Sequence, residues 1–280
     1  LRMHYRDEGQ GEPLVMLHGN PSWSYYYRGL IEALSGGYRC VAPDHIGMGL
    51  SDKPSDERYE YTLSRRVADL STFLDKLGMV KDITLVIHDW GGMIGMAWAS
   101  RHPERVRRLV ILNTAAFPLP GGKLLPWQLK LGRDSMAGTL LIRGFNAFAI
   151  GATRLCVTKR PMTRETAAAY VAPYDSWAHR IATLRFVQDI PLVPGDKAYP
   201  VVQAVAEGLH RFADTPMLIC WGMKDFVFDA SFLAEWVRRF PSAETHRFPE
   251  AGHYVLEDEG AAISVLVKDF LARHPLGKKS

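Results

Sequence analysis

Short apolar runs alternate with amphipathic stretches through the first part of the chain, and that rhythm leaves few folds open. Leu14 to Leu17, Arg39 to Ala42, Ile83 to Ile87 and Val106 to Leu112 are apolar runs of strand length, and Arg2 to Arg6 reads as a further strand. Between them, Ser24 to Leu34, Thr62 to Leu77 and Gly91 to Ser100 read as helices. In the second of these, Leu63, Val67, Leu70, Phe73, Leu74 and Leu77 fall on one helical face, with Thr62 as N-cap and Gly78 as stop. Mostly apolar strands, each followed by a helix, belong to a parallel sheet covered on both faces.

The rhythm then breaks. From Phe117 to Phe212 the chain is rich in Leu, Ala, Phe, Trp and Pro with helical periodicity and little strand pattern. Strand-like sequence returns at Met217 to Trp221, followed by a helix from Ala230 to Phe240, a strand near Glu244 to Phe248 and a helix from Ala261 to Ala272. The expectation is an α/β fold: a mostly parallel sheet flanked by helices, split into 1–116 and 213–280, with a helical cap domain at 117–212. The strand at the very start leaves open a further strand before Leu1.

Composition narrows the function classes. Lys and Arg total 34 against 30 Asp and Glu, a net charge of +4. Part of that excess is Lys278 and Lys279, read as a solvated tail, and no basic stripe suited to nucleic acid appears. No apolar run reaches membrane-spanning length; Thr139 to Ala152 comes nearest but holds Arg143 and Asn146. Cys40, Cys156 and Cys220 are far apart and odd in number, which suits buried thiols in a reducing, cytoplasmic setting. No metal-ligand spacing and no cofactor motif is present.

The chemistry centres on Ile87-His88-Asp89-Trp90-Gly91-Gly92, between a predicted strand and a predicted helix. This is the setting of a nucleophile elbow, a sharp turn that lifts one side chain above the sheet. The usual apex is Ser and the usual residue at the Ile87 position is Gly, so the strict pattern is not met. Alone, the hexapeptide serves equally well as a strand–helix junction with Asp89 capping the helix. The rest of the chain decides. Asp225 follows one strand in Trp221-Gly222-Met223-Lys224-Asp225, and His253 follows the next in Ala251-Gly252-His253-Tyr254. Nucleophile, acid, histidine is the chain order of α/β-hydrolases. Asp229 is the fallback acid. His18-Gly19-Asn20-Pro21 directly follows a strand, where the backbone N–H groups of Asn20 and Trp90 form an oxyanion hole. His88 reads as a satisfied core histidine and His45 as a loop-shaping one.

His-Gly-Asn-Pro at 18–21 together with His-Asp-Trp-Gly-Gly at 88–92 resembles the haloalkane dehalogenases of the α/β-hydrolase fold, over essentially the whole chain. The resemblance implies that the Asn20 amide and the Trp90 indole N–H hold the leaving anion. Some dehalogenases carry the acid after the strand that precedes the cap; here Asn113 stands there, so the role passes to Asp225. That pattern is similar to the third dehalogenase subfamily, which includes the β-lactone decarboxylases of long-chain olefin biosynthesis. Asn113 to Pro118, Phe145 to Phe148 and Ala172 to Trp177 look most like those decarboxylases.

An Asp apex has its own chemical meaning. A carboxylate displaces a leaving group at saturated carbon and leaves an alkyl ester on the enzyme. His253 then activates water against that ester, with Asp225 holding its tautomer. The expectations are an enzyme with an Asp89–His253–Asp225 triad and a hydrophobic small-molecule substrate. A long-chain β-lactone decarboxylated to an alkene leads, and hydrolysis of alkyl halides is the alternative. Epoxide hydrolysis, with Tyr170 or Tyr174 as acid, ranks third, and an inactive binding protein fourth. Trp127, Leu129, Leu131, Leu140, Leu141, Phe145, Phe148 and Ile150 supply an apolar cap, some of it facing the cleft. Association with other enzymes of that pathway, or with a second copy of the chain, stays open.

Overall fold

The computed structural model describes residues 1–276; Lys278 and Lys279 lie outside the described residues. Its sheet has seven strands: β1 (Tyr5–Glu8), β2 (Glu12–Leu17), β3 (Tyr38–Pro43), β4 (Ile83–Asp89), β5 (Val106–Thr114), β6 (Met217–Gly222) and β7 (Glu244–Phe248). They lie in the order β1-β3-β2-β4-β5-β6-β7, and only the β1–β3 pair is antiparallel.

The alternation of side chains along each strand builds two cores. Val15 and Leu17 of β2, with Leu85 and Ile87 of β4, face one apolar cluster, while Leu14, Met16 and Val86 face the other. The first cluster is covered by α2 (Leu63–Lys76), α3 (Trp90–Ala99) and α10 (Ala230–Arg239), and the second by α1 (Arg28–Leu34) and α11 (Val255–Arg273). All seven residues of β4 are buried, so this strand is the spine of the fold. Each such Leu or Ile stabilises the fold by roughly 1.5–3 kcal/mol relative to exposure.

Between β5 and β6 the described chain carries helices joined by turns and no strand. It runs through α4 (Trp127–Asp134), α5 (Met136–Thr139), a π-helical turn (Leu140–Gly144), α6 (Ala147–Leu155), α7 (Arg164–Val171), α8 (Ile181–Gln188) and α9 (Tyr199–Gly208). Ser135 and Thr163 start α5 and α7 by accepting the N–H groups of Gly138 (2.9 Å) and Thr166 (3.2 Å). Val202 and Val205 of α9 join the apolar cluster on the α3 face of the sheet.

Three expected elements differ from those observed. The first strand is Tyr5–Glu8 rather than Arg2 to Arg6, set by its antiparallel register with β3. Ser24 to Leu34 is two pieces, a 3₁₀ turn over Ser24–Tyr27 and then α1, with the Tyr27 hydroxyl donating to the Leu17 carbonyl (2.7 Å). The last helix starts at Val255 instead of Ala261. Glu257 and Asp258 fill its first turn, where carboxylates suit the exposed N–H groups. A non-helical residue, Glu259, interrupts the periodicity there and hides the start.

Candidate active site

Asp89 ends β4 and Trp90 opens α3, with no loop between them. The turn forces Asp89 to φ +50°, a backbone region that side chains bearing Cβ avoid. The junction closes only because Gly91 has no side chain: a Cβ there would stand 1.9 Å from the Leu17 carbonyl oxygen. Gly19 serves the opposite wall, where a Cβ would stand 1.8 Å from the Asp89 Oδ1 atom. That clearance lets the Asn20 backbone N–H donate to Asp89 Oδ1 at 2.6 Å. The Trp90 backbone N–H, at the start of α3, also favours the charged form of this carboxylate.

His253 stands on the far side. Its Nε2 is 3.7 Å from Asp89 Oδ2, and its Nδ1 is 2.8 Å from Asp225 Oδ2. Asp225 is fixed on both oxygens: Oδ1 accepts the N–H groups of Val227 (2.7 Å) and Phe228 (3.1 Å), and Oδ2 accepts the Asn113 amide (3.0 Å). Asn113, at φ +33°, also accepts the Gly222 N–H (2.8 Å). In the sequence Asn113 marks only the absence of an acid after β5; in the structure it braces Asp225. Asp229, the fallback, is elsewhere, capping α10 and paired with Lys123.

The three groups are nearly sealed, with Asp89, Asp225 and His253 at 6%, 2% and 3% exposure. Burial raises the Asp89 carboxyl above its ordinary 3.8, and His253 and the Trp90 and Asn20 N–H groups only partly oppose it. Burial also works against the His253 imidazolium, but the Asp225 and Asp89 carboxylates overcome it and raise the pKa above 6.5. The Asp89 and Asp225 carboxylates thus favour the His253 imidazolium, and that imidazolium in turn favours the ionised Asp89.

Over Asp89 lies a cavity of about 300 Å³. Asn20, Trp90 and His253 line its floor, and Trp127, Leu129, Leu131, Leu141 and Phe148 its roof. Leu140, Phe145 and Ile150, expected in the same apolar cap, do not line it. Trp90 Nε1 has no acceptor among the described residues. The Asn20 amide spends one N–H on the Thr183 carbonyl of α8 (3.0 Å) and keeps a second, while its Oδ1 is buried without a donor. Tyr170 and Tyr174 do not line the cavity. The Tyr170 hydroxyl donates to Glu257, and that of Tyr174 faces the Ser22 carbonyl and the Met48 sulfur. Neither is in place to protonate an epoxide oxygen.

Two further groups, His88 and Arg66, lie buried beside the site, and His88 departs from the satisfied core histidine expected of it. His88 is only half satisfied: Nε2 pairs with the His253 carbonyl (2.8 Å) and Nδ1 has no partner. His45 matches its expected loop role, its N–H donating to His18 Nε2 (3.1 Å). Arg66 of α2 is fully buried, with one N–H on Asp189 at the end of α8 (2.9 Å) and its guanidinium 3.6 Å above the Phe186 ring. Phe186 meets the Trp90 ring edge-on at 5.2 Å.

This architecture defines a class. The pattern of the alpha/beta hydrolase fold matches residues 12–260, and the chain belongs to the α/β-hydrolase fold family. Two curated proteins named cis-3-alkyl-4-alkyloxetan-2-one decarboxylase are similar to it. That from Shewanella oneidensis is 55% identical over 96% of this chain and 85% of its own. That from Xanthomonas campestris is 52% identical over 99% and 94%. A haloalkane dehalogenase from Mycolicibacterium paratuberculosis is 33% identical over 94% and 85%. The solved haloalkane dehalogenase from Bradyrhizobium elkani superposes with a TM-score of 0.86 at 27% identity, covering 97% of this chain and 94% of that one. These relatives set the chain among the dehalogenase-like members of the family.

Proposed function

We propose that this chain is an enzyme that converts a long-chain cis-3,4-dialkyl β-lactone to an alkene and carbon dioxide, with Asp89 as nucleophile, His253 as its charge partner and Asp225 orienting His253. The observation that carries the reading is the Asp89 carboxylate, held by the Asn20 backbone N–H and faced by His253 at the floor of an apolar cavity. The choice of lactone over halide is supported by identity of 55% and 52% to proteins named as oxetanone decarboxylases, against 33% to a dehalogenase.

The steps balance. An Asp89 oxygen attacks the β-carbon, the ring C–O bond breaks, and its electron pair leaves on a carboxylate. That anion enters an apolar space and needs donors, because an unpaired buried charge is very costly. The Trp90 indole N–H and the second Asn20 amide N–H supply them. The C–CO₂ bond then breaks, its electrons form the double bond, and the alkyl–oxygen bond to Asp89 breaks to return the carboxylate. No water is consumed. His253, facing Asp89 Oδ2, favours the ionised nucleophile. Residues 117–212 act as the cap that makes the cavity apolar. The three cysteines are buried and free, which supports a reducing, cytoplasmic setting.

A second reading, hydrolysis of alkyl halides, is favoured by the same unclaimed donors at Trp90 and Asn20. There His253 activates water against the Asp89 ester, and the backbone N–H groups of Asn20 and Trp90 stabilise the oxyanion. Turnover of a dialkyl β-lactone in heavy-oxygen water separates the chemistries. The proposal expects alkene and carbon dioxide in equal amounts and no labelled β-hydroxy acid. A labelled β-hydroxy acid in place of the alkene contradicts it.

A further inference from the structure

The exposed large apolar side chains of this molecule are unevenly spread. Leu124, Trp127, Met136, Leu141, Phe145 and Leu155 all lie in the stretch between β5 and α7, at 40–84% exposure. Trp127, Leu141 and Leu155 also line the cavity over Asp89, so they ring its mouth. Leu124, Met136 and Phe145 each stand within two residues of a cavity-lining position. Isolated exposed hydrophobics need no explanation, but a cluster of this size around one opening does.

Charge runs with the apolar surface. Residues 117–164 hold eight Lys or Arg and one acidic residue, Asp134; Lys123, Arg133 and Lys159 are paired with Asp229, Asp196 and Glu259 from outside the stretch, which still leaves an excess of positive charge. Arg154, Arg160 and Arg164 are exposed and make no ion pair among the described residues. Arg154 and Arg160 line a second cavity, of about 530 Å³, between α6 and α7, together with Thr153, Val157 and Met162. Helix α6 is the partition: Phe148, Ala152 and Leu155 face the first cavity, and Ile150, Thr153 and Arg154 the second. Among the described residues no helix is long and apolar enough to cross a membrane.

We propose that this face docks peripherally on an anionic lipid bilayer, its apolar rim entering the interface and Arg154 and Arg160 meeting lipid phosphates, so that the cavity over Asp89 opens into the acyl layer. Apolar insertion plus basic attraction are the two signals that together give stable interfacial binding. The docking itself does not depend on the reaction. Its use, passing a hydrophobic substrate or product through lipid rather than water, rests on the function proposed above.

Co-sedimentation with vesicles reads docking without any turnover, so failure of the reaction and failure of docking remain distinguishable. The protein is expected to sediment with vesicles of phosphatidylglycerol and phosphatidylcholine. It should stay in solution with phosphatidylcholine alone, and be released near 1 M salt, where the screening length is about 3 Å. The triple variant L124S/M136S/F145S changes only exposed side chains outside the cavity, so its melting temperature should hold while its affinity for vesicles falls by about tenfold or more. Arg154→Glu with Arg160→Glu should remove the preference for anionic lipid. Brominated acyl chains should quench wild-type fluorescence more than that of Trp127→Phe. The proposal is overturned by absence of sedimentation with anionic vesicles or by equal binding of wild type and triple variant. A dimer that the triple variant abolishes, with no vesicle binding, overturns it too.

Discussion

The floor and the roof of the cavity are built on opposite principles. On the floor every group is placed by a strand end and a close backbone contact: Asp89 at the end of β4, Asn113 in β5, Asp225 just after β6. Asp225 alone accepts from two backbone N–H groups, an amide and a histidine, while the Trp90 indole N–H and one Asn20 amide N–H are left open toward the cavity. The roof is made of helices joined by turns, presents Leu, Phe and Trp, and leaves much of that apolar surface outside. On the function proposed above, the floor sets which bond is attacked and the roof which molecule is brought to it.

The comparison breaks most sharply at Asp89. Asp89→Ala should lower turnover of any substrate by about 10⁴-fold or more while the melting temperature does not fall, because the nucleophile has no substitute on the floor. Retained activity in a folded variant would move the chemistry elsewhere.

His253→Ala separates the two chemistries on one floor. Bromoalkane hydrolysis should drop by about 10³-fold or more, with an alkyl adduct on Asp89 visible by intact mass, because ester hydrolysis loses its base. Alkene formation from the lactone needs no activated water, so its loss should be smaller and recoverable by raising the pH, which ionises Asp89. Equal losses in both reactions would refute this division of labour.

Arg66 ties floor to roof, linking α2 to Asp189 of α8. Arg66→Met should cost about 3–5 kcal/mol in urea unfolding, since it strands a buried carboxylate, and Arg66→Met with Asp189→Leu should recover most of it. A double variant as unstable as the single one would mean that the pair does more than balance charge.

The pH dependence is a finer probe. The His253 pKa is raised above 6.5, and the imidazole must be neutral to act as base. Bromoalkane hydrolysis should therefore fall as pH drops through a midpoint above 6.5. Lactone conversion requires only ionised Asp89, so it should persist lower, until pH approaches the raised Asp89 pKa. Coincident profiles would argue for a common proton-requiring step. The smallest effect belongs to the roof: Phe148→Ala should raise KM for a long-chain substrate by about tenfold and leave a short one nearly unchanged.

The same contrast explains what was legible in the sequence. Strand runs and their terminal residues exposed the floor, because a buried parallel strand and a glycine-closed elbow tolerate few residue types. Asp89, Asp225, His253, Asn20 and Trp90 are all brought together. Partners contributed by distant elements left no local pattern: Asn113 beneath Asp225, and Arg66 across to Asp189. In the roof, periodicity marked helices but not which face met the cavity. Leu141 lines it and its neighbour Leu140 does not.

The most direct test compares kcat/KM for a cis-3,4-dialkyl β-lactone with that for the best bromoalkane of matched chain length, with alkene detected by gas chromatography. Alkene is expected from the lactone, lost in Asp89→Ala, with the lactone the better substrate. Brisk bromoalkane turnover with no alkene from the lactone would contradict it.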